Sequence, residues 1–303
     1  MVVRAAERPV LRHRFDVMGS AAEVTLVGGG PAALSAAVAR LDQLDRRWSR
    51  FRPDSEISCL NTATGRSVPM SPETVLLVDL AQQGWRRTHG RYDPTLLAAV
   101  RRAGYTDDFA RLPADATPAR RATDHDPRTC GRITIDARAG TIALPDGAGF
   151  DPGGIGKGLA ADLVSAELAA RGIPGGCVNV GGDLRAWGRG PHDDRWRVAA
   201  ADRTIGVTDA GVATSGTGRR TWMTAGRRMH HLIDPTTLDP ADTGVTTVTV
   251  VAPAAWQAEV YALAALLSGP RQALAELRRW GVDGLVVDDR GHVRASRRLR
   301  RRP

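Results

Sequence analysis

Residues 151–180 read DPGGIGKGLAADLVSAELAARGIPGGCVNV. The first eight, Asp151 to Gly158, make a glycine-rich bend that runs into a helix over 157–171. Leu159, Leu163, Val164 and Leu168 recur there at helical spacing, and Gly172 stops the helix as a C-cap. A short apolar strand over 177–180 follows and ends in Gly181, Gly182 and Asp183. Outward from this unit, short strands are expected over 132–135, 141–144, 196–200, 245–252 and 284–288, with helices over 254–267 and 271–280. Upstream, 22–27 (AEVTLV) reads as a strand. Pro31 opens a helix over 31–48 carrying Leu34, Val38, Leu41, Leu44 and Trp48, and Ser71-Pro72-Glu73 opens another that ends near Gly90. Strands and helices mix without strict alternation. The chain is therefore α+β, a mixed α/β arrangement of sheets flanked by helices.

The expected organisation is an N-terminal arm over 1–12, one domain over 13–290 and an Arg-rich disordered tail over 291–303. The Pro-, Asp- and Arg-rich stretch 105–131 reads as a variable surface loop. With 303 residues, 42% hydrophobic and 25% charged, the composition is that of a soluble globular protein and excludes a mainly disordered or collagen-like chain. No run approaches the roughly 18 apolar residues of a membrane span. The start, MVVRAAERPVLRHRFDVMG, has no apolar stretch typical of a secretory signal, so the cytoplasm is expected.

The net charge of +9 raises nucleic-acid binding as a question. Arg294, Arg297, Arg298, Arg300, Arg301 and Arg302 crowd the last ten residues, and without those six the remainder carries +3. The body is not basic, and no nucleic-acid partner is expected. Cys59, Cys130 and Cys177 form no C-x-x-C pair, which argues against a disulfide framework or structural zinc and agrees with a reducing compartment.

Of 42 basic residues, 41 are Arg, and the single Lys is Lys157, inside the bend. Glycines there allow close backbone approach to a ligand. The helix start offers unpaired N–H groups to an anion, Lys157 adds a point cation, and Asp151 can accept from a ligand N–H or O–H. The spacing is not that of a Walker A loop, because Gly158 stands where Ser or Thr belongs, nor that of a Rossmann turn. A second cluster is His230-His231-Leu232-Ile233-Asp234-Pro235. Adjacent strand residues face opposite ways, so at most one histidine addresses a given site, as acid, base or donor. The stretch from Trp48 to Asn61 and Tyr92-Asp93-Pro94-Thr95 set aromatic rings beside amides and carboxylates, as suits a planar heterocycle. Taken alone, the two aromatic stretches are more often plain packing, the histidine turn serves either reading, and the lone lysine in the bend favours a ligand.

Taken in order, these segments resemble the ApbE family of FAD:protein FMN transferases. The matching stretches are Met18-Gly19-Ser20, residues 49–61, Tyr92 to Thr95, Asp151 to Asp162, Asn179 to Asp183, Ala213-Thr214-Ser215-Gly216, His230 to Pro235 and Val248-Thr249-Val250. The resemblance implies a magnesium-dependent reaction that splits FAD at its pyrophosphate. FMN passes to a Thr or Ser hydroxyl of a partner protein as a phosphoester, and AMP leaves. It implies that Met18, Phe51, Asn61, Tyr92, Asp93, Asp151, Lys157 and Ile233 bind FAD. It also implies catalytic roles for His231, Lys157 and Asp234, with Gly154 and Glu259 as metal ligands. One departure stands out. Where the family pattern has Asp and, four residues on, Thr, this chain has Glu259 and Leu263 on one helix face. Leu263 cannot coordinate a metal, so weak magnesium affinity is expected. This variant motif keeps a second reading open, an FAD-binding or FAD-hydrolysing member without an acceptor protein.

Overall fold

Eight strands pair into one sheet in the order in which the chain meets them. They are β1 (Val10–Val17), β2 (Ser20–Val27), β3 (Gly175–Val180), β4 (Asp183–Gly188), β5 (Ala210–Gly216), β6 (Val245–Ala252), β7 (Asp283–Asp288) and β8 (Val293–Ala295). Every neighbouring pair is antiparallel. The computed structural model describes residues 9–112, 115–116, 125–192 and 194–300. Residues 1–8 of the expected arm, 301–303 of the expected tail and part of the 105–131 stretch lie outside them.

The chain leaves the sheet after β2 and builds five helices: α1 (Pro31–Trp48), α2 (Glu56–Thr62), α3 (Pro72–Arg87), α4 (Leu97–Arg102) and α5 (Gly156–Ala170). It then returns to pair β3 with β2. Between β6 and β7 come α6 (Ala255–Leu267) and α7 (Gly269–Arg279), and α8 (Arg297–Arg300) follows β8. Alternation along the strands divides the core. Val24, Leu26, Val178, Val180, Ala213, Val248 and Val250 pack under the helices with Leu41, Leu44, Leu159 and Val260. Leu184, Ala186, Val212 and Leu285 face the other way, onto Trp196, Ile205 and Val207 of the hairpin formed by Trp196–Ala200 and Arg203–Val207. Both faces are covered, which is why successive residues Val248, Thr249 and Val250 of β6 and Leu285 and Val286 of β7 are all buried.

The starts of α5 and α6 touch. A Cβ on Gly158 would lie 2.5 Å from the carbonyl oxygen of Ala255, so only glycine permits this approach. Asp162 on α5 accepts from the N–H groups of Ala255 and Trp256, each at 2.9 Å. It thereby satisfies the first turn of α6, which has no side-chain cap of its own.

The helices over 31–48, 72–87 and 156–170 fall where the apolar spacing puts them. Three expectations need correction. The tail is not disordered from residue 291: β8 pairs with β7, Ala295 is buried and Leu299 packs on the second core face. Arg294 and Arg298 lie 3.8 Å from Asp288 and Asp283, so apolar residues set between the arginines give this segment its structure. The arm is also shorter than expected, since residues 10–12 already belong to β1 and pair with 25–27. Lastly, 105–131 is not all surface. Tyr105 and Cys130 are buried, and Gln82 donates to the carbonyls of Cys130 and Ile133 at 2.8 and 3.0 Å.

Candidate active site

The β1–β2 turn at Met18-Gly19, the β3–β4 turn at Gly181-Gly182 and the end of β5 at Ser215-Gly216 lie at one end of the sheet. Two cavities open there. Met18, Phe51, Tyr92, Asp93, Asp151 and Ile233 line the first, together with Arg50 and Tyr105. Arg14, Ser20, Asn179, Asp183, Thr214, Arg219 and Glu259 line the second. Gly153, Gly154, Lys157, Arg220, His231 and Leu263 belong to both, so the glycine bend forms the threshold between them.

An aromatic wall flanks the first cavity. The Arg50 guanidinium lies against both Phe51 and Tyr105, its Cζ 4.2 and 4.3 Å from ring centroids that are themselves 5.6 Å apart. Arg50 Nη1 donates to the Tyr105 carbonyl at 3.0 Å, and Nε lies 3.6 Å from Asp151. Trp222 backs Tyr105 at 5.2 Å between ring centroids. Two buried polar groups here have no partner among the described residues, Arg50 Nη2 and the Tyr92 hydroxyl. Burial raises the tyrosine pKa well above its ordinary value, with nearby acidic groups adding to it, so the hydroxyl remains a donor. The composition of the site made Phe51 and Tyr92 legible in the sequence. Tyr105 was hidden in the supposed loop, and Arg50 and Arg220 were hidden among 41 arginines.

Asp151 and Asp93 shape the walls as well as face the cavity. Asp151 accepts from Gly153 N–H at 2.9 Å, and its own N–H donates to the Pro94 carbonyl at 2.8 Å, which fastens the bend to the Tyr92–Thr95 turn. Asp93 accepts from the Thr95 N–H and hydroxyl at 2.8 and 2.5 Å and contacts His125 Nε2 at 2.9 Å. Two expected site residues do not reach the cavity. Asn61 clamps Phe150, donating to its carbonyl at 2.9 Å and accepting from its N–H at 2.6 Å. Both ends of its amide are engaged by the Phe150 backbone, so it fastens the residue before the bend and lines neither cavity. Asp234 accepts from Thr236 N–H at 2.7 Å, and its own carbonyl accepts from Leu238 N–H at 2.8 Å. It lines neither of these two cavities but a third beside the first, which shares Arg91 and Leu267 with it, and its Oδ1 shapes the turn.

His231 follows the strand Arg227–His230 and turns into the threshold. Its neighbour His230 points away and contacts the Ala241 carbonyl at 3.0 Å. His231 Nδ1 is buried with no partner among the described residues. Burial, then the positive charges of Arg220 and Lys157, lower its pKa to about 3, against a hydrogen bond to the Arg220 backbone. The ring is neutral, and with that bond taken by the other nitrogen, Nδ1 carries the free lone pair.

Lys157 projects from the first turn of α5 into a cradle of two buried carboxylates. Its ammonium donates to Asp183 Oδ2 and, at 2.8 Å, to Glu259 Oε1. The remaining oxygens are tied to backbone: Glu259 Oε2 accepts from Gly158 N–H at 2.8 Å, and Asp183 Oδ1 from Thr214 N–H at 3.3 Å. Burial alone would lower the lysine pKa, but the two carboxylates outweigh it and hold the pKa above the ordinary value. Burial pushes Glu259 up to about 7, against the pull of Lys157.

The residues present do not fit the expected magnesium ion. Both oxygens of Glu259 are engaged, and one turn on stands Leu263, an alkyl group. Gly154 leaves just enough room for that alkyl group, since a Cβ there would lie 3.0 Å from Leu263 Cδ2 and 2.9 Å from Tyr92 Cε2. No group of three or more His, Cys, Asp or Glu stands together as a metal centre among the described residues. Magnesium prefers an octahedron of oxygens, and this donor set falls short of one.

Comparison with known proteins shows the family and the fold. The sequence model of the ApbE family matches residues 18–286. An FAD:protein FMN transferase of Treponema pallidum is 31% identical over 293 residues, covering 88% of this chain and 79% of that protein. One from Klebsiella pneumoniae is 30% identical over 293 residues, covering 90% and 83%. The crystal structure of Pseudomonas stutzeri flavinyl transferase ApbE, in its apo form, superposes with a TM-score of 0.81 at 26% identity, covering 99% of this chain and 98% of that one. The ApbE protein of Thermotoga maritima shares the fold, with a TM-score of 0.84 at 22% identity over 96% and 98% of the two chains. The chain belongs to the ApbE family.

Proposed function

We propose that the chain is an FAD:protein FMN transferase. The observation that carries this reading is the meeting of two cavities at Lys157 and His231. One is lined by aromatic rings and suits a dinucleotide, and the other is polar and suits a protein segment. In this reading FAD occupies the first cavity. Its rings lie along the wall of Phe51, Arg50 and Tyr105, and its diphosphate is at the glycine bend, against the start of α5 and the Lys157 ammonium. Met18, Tyr92, Asp93, Asp151 and Ile233 bound the remaining space.

The acceptor hydroxyl enters through the second cavity. Its oxygen attacks the phosphorus that carries riboflavin, its proton passes to His231 Nδ1 once the bound diphosphate offsets the Arg220 and Lys157 charges that depress the ring's basicity, and a new phosphoester P–O bond forms. The P–O bond to the bridging oxygen breaks, and AMP departs with that oxygen. Catalysis is then a matter of position and charge: Lys157 and Arg220 offset the charge on the phosphoryl oxygens, and His231 takes the proton. Lys157 and His231 are the catalytic residues of this scheme. Magnesium, which the family resemblance implies, has no complete donor set here, and no step depends on it. The acceptor is a protein bearing an accessible Thr or Ser. The free thiols Cys59, Cys130 and Cys177 support a cytoplasmic site. Among the described residues no helix is long and apolar enough to cross a membrane.

Incubation with FAD and a Thr-bearing acceptor peptide, read by intact mass, tests the reading. One FMN is expected on the peptide, with AMP released in equal amount. Free FMN and AMP beside an unmodified peptide would establish the hydrolase alternative instead.

A further inference from the structure

We propose that this chain carries its own cation at the diphosphate site. Lys157, held between Asp183 and Glu259, does the work of a divalent metal, and FAD binds without one. This rests on the flavin reading above.

The cradle is rigid and comes from three separate elements. Lys157 lies on α5, Asp183 opens β4 and Glu259 lies on α6, and both carboxylates are 3% exposed. Each carboxylate turns one oxygen to the ammonium and gives the other to a backbone N–H, Gly158 at 2.8 Å for Glu259 and Thr214 at 3.3 Å for Asp183. Two buried carboxylates this close are stabilised by a cation between them, and Lys157 supplies it within the chain. The Lys157 side chain borders both cavities and 19% of it is exposed, and of the three ammonium hydrogens the two carboxylates take two. An anion can therefore meet it without breaking the cradle.

Leu263 closes the alternative. It lies one turn from Glu259 and packs toward Gly154, at the threshold where a metal would have to coordinate both loop and helix. Magnesium gives up its water reluctantly and asks for oxygen ligands in return, whereas an alkyl group offers none. A covalently attached ammonium gives weaker point charge than a divalent ion. It needs no recruitment from solution, however, and its position is fixed by two carboxylates before substrate arrives.

Flavin-fluorescence quenching measures FAD affinity in protein stripped with EDTA, and again with millimolar Mg2+ or Mn2+. The two dissociation constants should agree within about twofold, and an affinity raised about tenfold or more by metal overturns the proposal. Electron paramagnetic resonance of Mn2+ gives a readout independent of activity. The FAD-loaded wild type should leave the free Mn2+ signal undiminished, whereas Lys157→Met, which leaves the two carboxylates facing each other without their ammonium, should bind one ion. A wild type that takes up Mn2+ as readily as the variant overturns the proposal. If FAD binds neither with nor without metal, it is the flavin reading that fails, and the inference falls with it.

Discussion

Asn61 and Phe150, 89 residues apart in the chain, are joined by two hydrogen bonds, from Asn61 Nδ2 to the Phe150 carbonyl and from the Phe150 N–H to Asn61 Oδ1. This pair anchors the residue immediately before Asp151, so the position of the glycine bend depends on a side chain that lines neither of the two cavities. Asn61→Ala should cost about 1–3 kcal/mol by leaving two buried backbone groups unpaired. FAD affinity should weaken while the absorption spectrum of the bound flavin stays as in the wild type. Chemical denaturation and flavin titration check both. A changed flavin spectrum without loss of stability would return Asn61 to the binding site.

Gly154 faces Tyr92 and Leu263 at distances that leave no room for a methyl group. Gly154→Ala should destabilise by about 1–3 kcal/mol through overpacking and narrow the threshold between the cavities. Part of that cost should vanish when Leu263 is also cut to Ala, because the two changes share one contact. A double-mutant cycle measures this, and strictly additive energies would contradict the packing described.

Arg50, lying against both Phe51 and Tyr105, stiffens the wall on which a planar ring would rest. Arg50→Lys keeps the charge and loses the planar stack. The expected result is flavin affinity weaker by about tenfold, in line with a desolvated cation–π contact of roughly 1–2 kcal/mol. Titration of FAD against the variant reads this directly, and unchanged affinity would remove the wall from the binding account.

His231 makes stability depend on pH. Its folded pKa lies near 3 and its unfolded pKa near the ordinary 6.5. Between those values the unfolded chain takes up a proton that the folded chain refuses, so this residue lowers stability as pH falls through 6.5 toward 3. The slope reaches about 1.4 kcal/mol per pH unit. Glu259, raised to about 7, acts in the opposite sense between its ordinary 4.5 and 7, so the wild type alone gives a flattened profile. The difference in unfolding free energy between wild type and His231→Asn isolates the histidine. It should shift in favour of the variant between pH 6.5 and 5, and a difference independent of pH would contradict the buried neutral ring.

The sequence made the helices legible because α1, α3 and α5 carry apolar residues at helical spacing and begin at Pro31, Pro72 or a glycine bend. It concealed β1, whose VLRHRFDV alternates apolar residues with charges and passes for an exposed arm, and β8, whose Val293 and Ala295 are lost among arginines. Within the site, Lys157 was legible because it is unique, and Tyr92 and Phe51 because aromatic residues are scarce. Asp183 stood in a quoted turn, but nothing in the turn indicated that it reaches 26 residues back to Lys157. Asp234 was legible only as an acid beside a histidine, and nothing in the sequence indicated that its Oδ1 shapes a turn.

A crystal structure of His231→Asn with FAD tests the central claim most directly, since the variant should bind the dinucleotide and not consume it. The account predicts the diphosphate at the glycine bend, within hydrogen-bonding distance of Lys157 Nζ, with the rings in the cavity walled by Phe51 and Tyr105. A diphosphate lodged elsewhere, or an empty first cavity at saturating FAD, would contradict it.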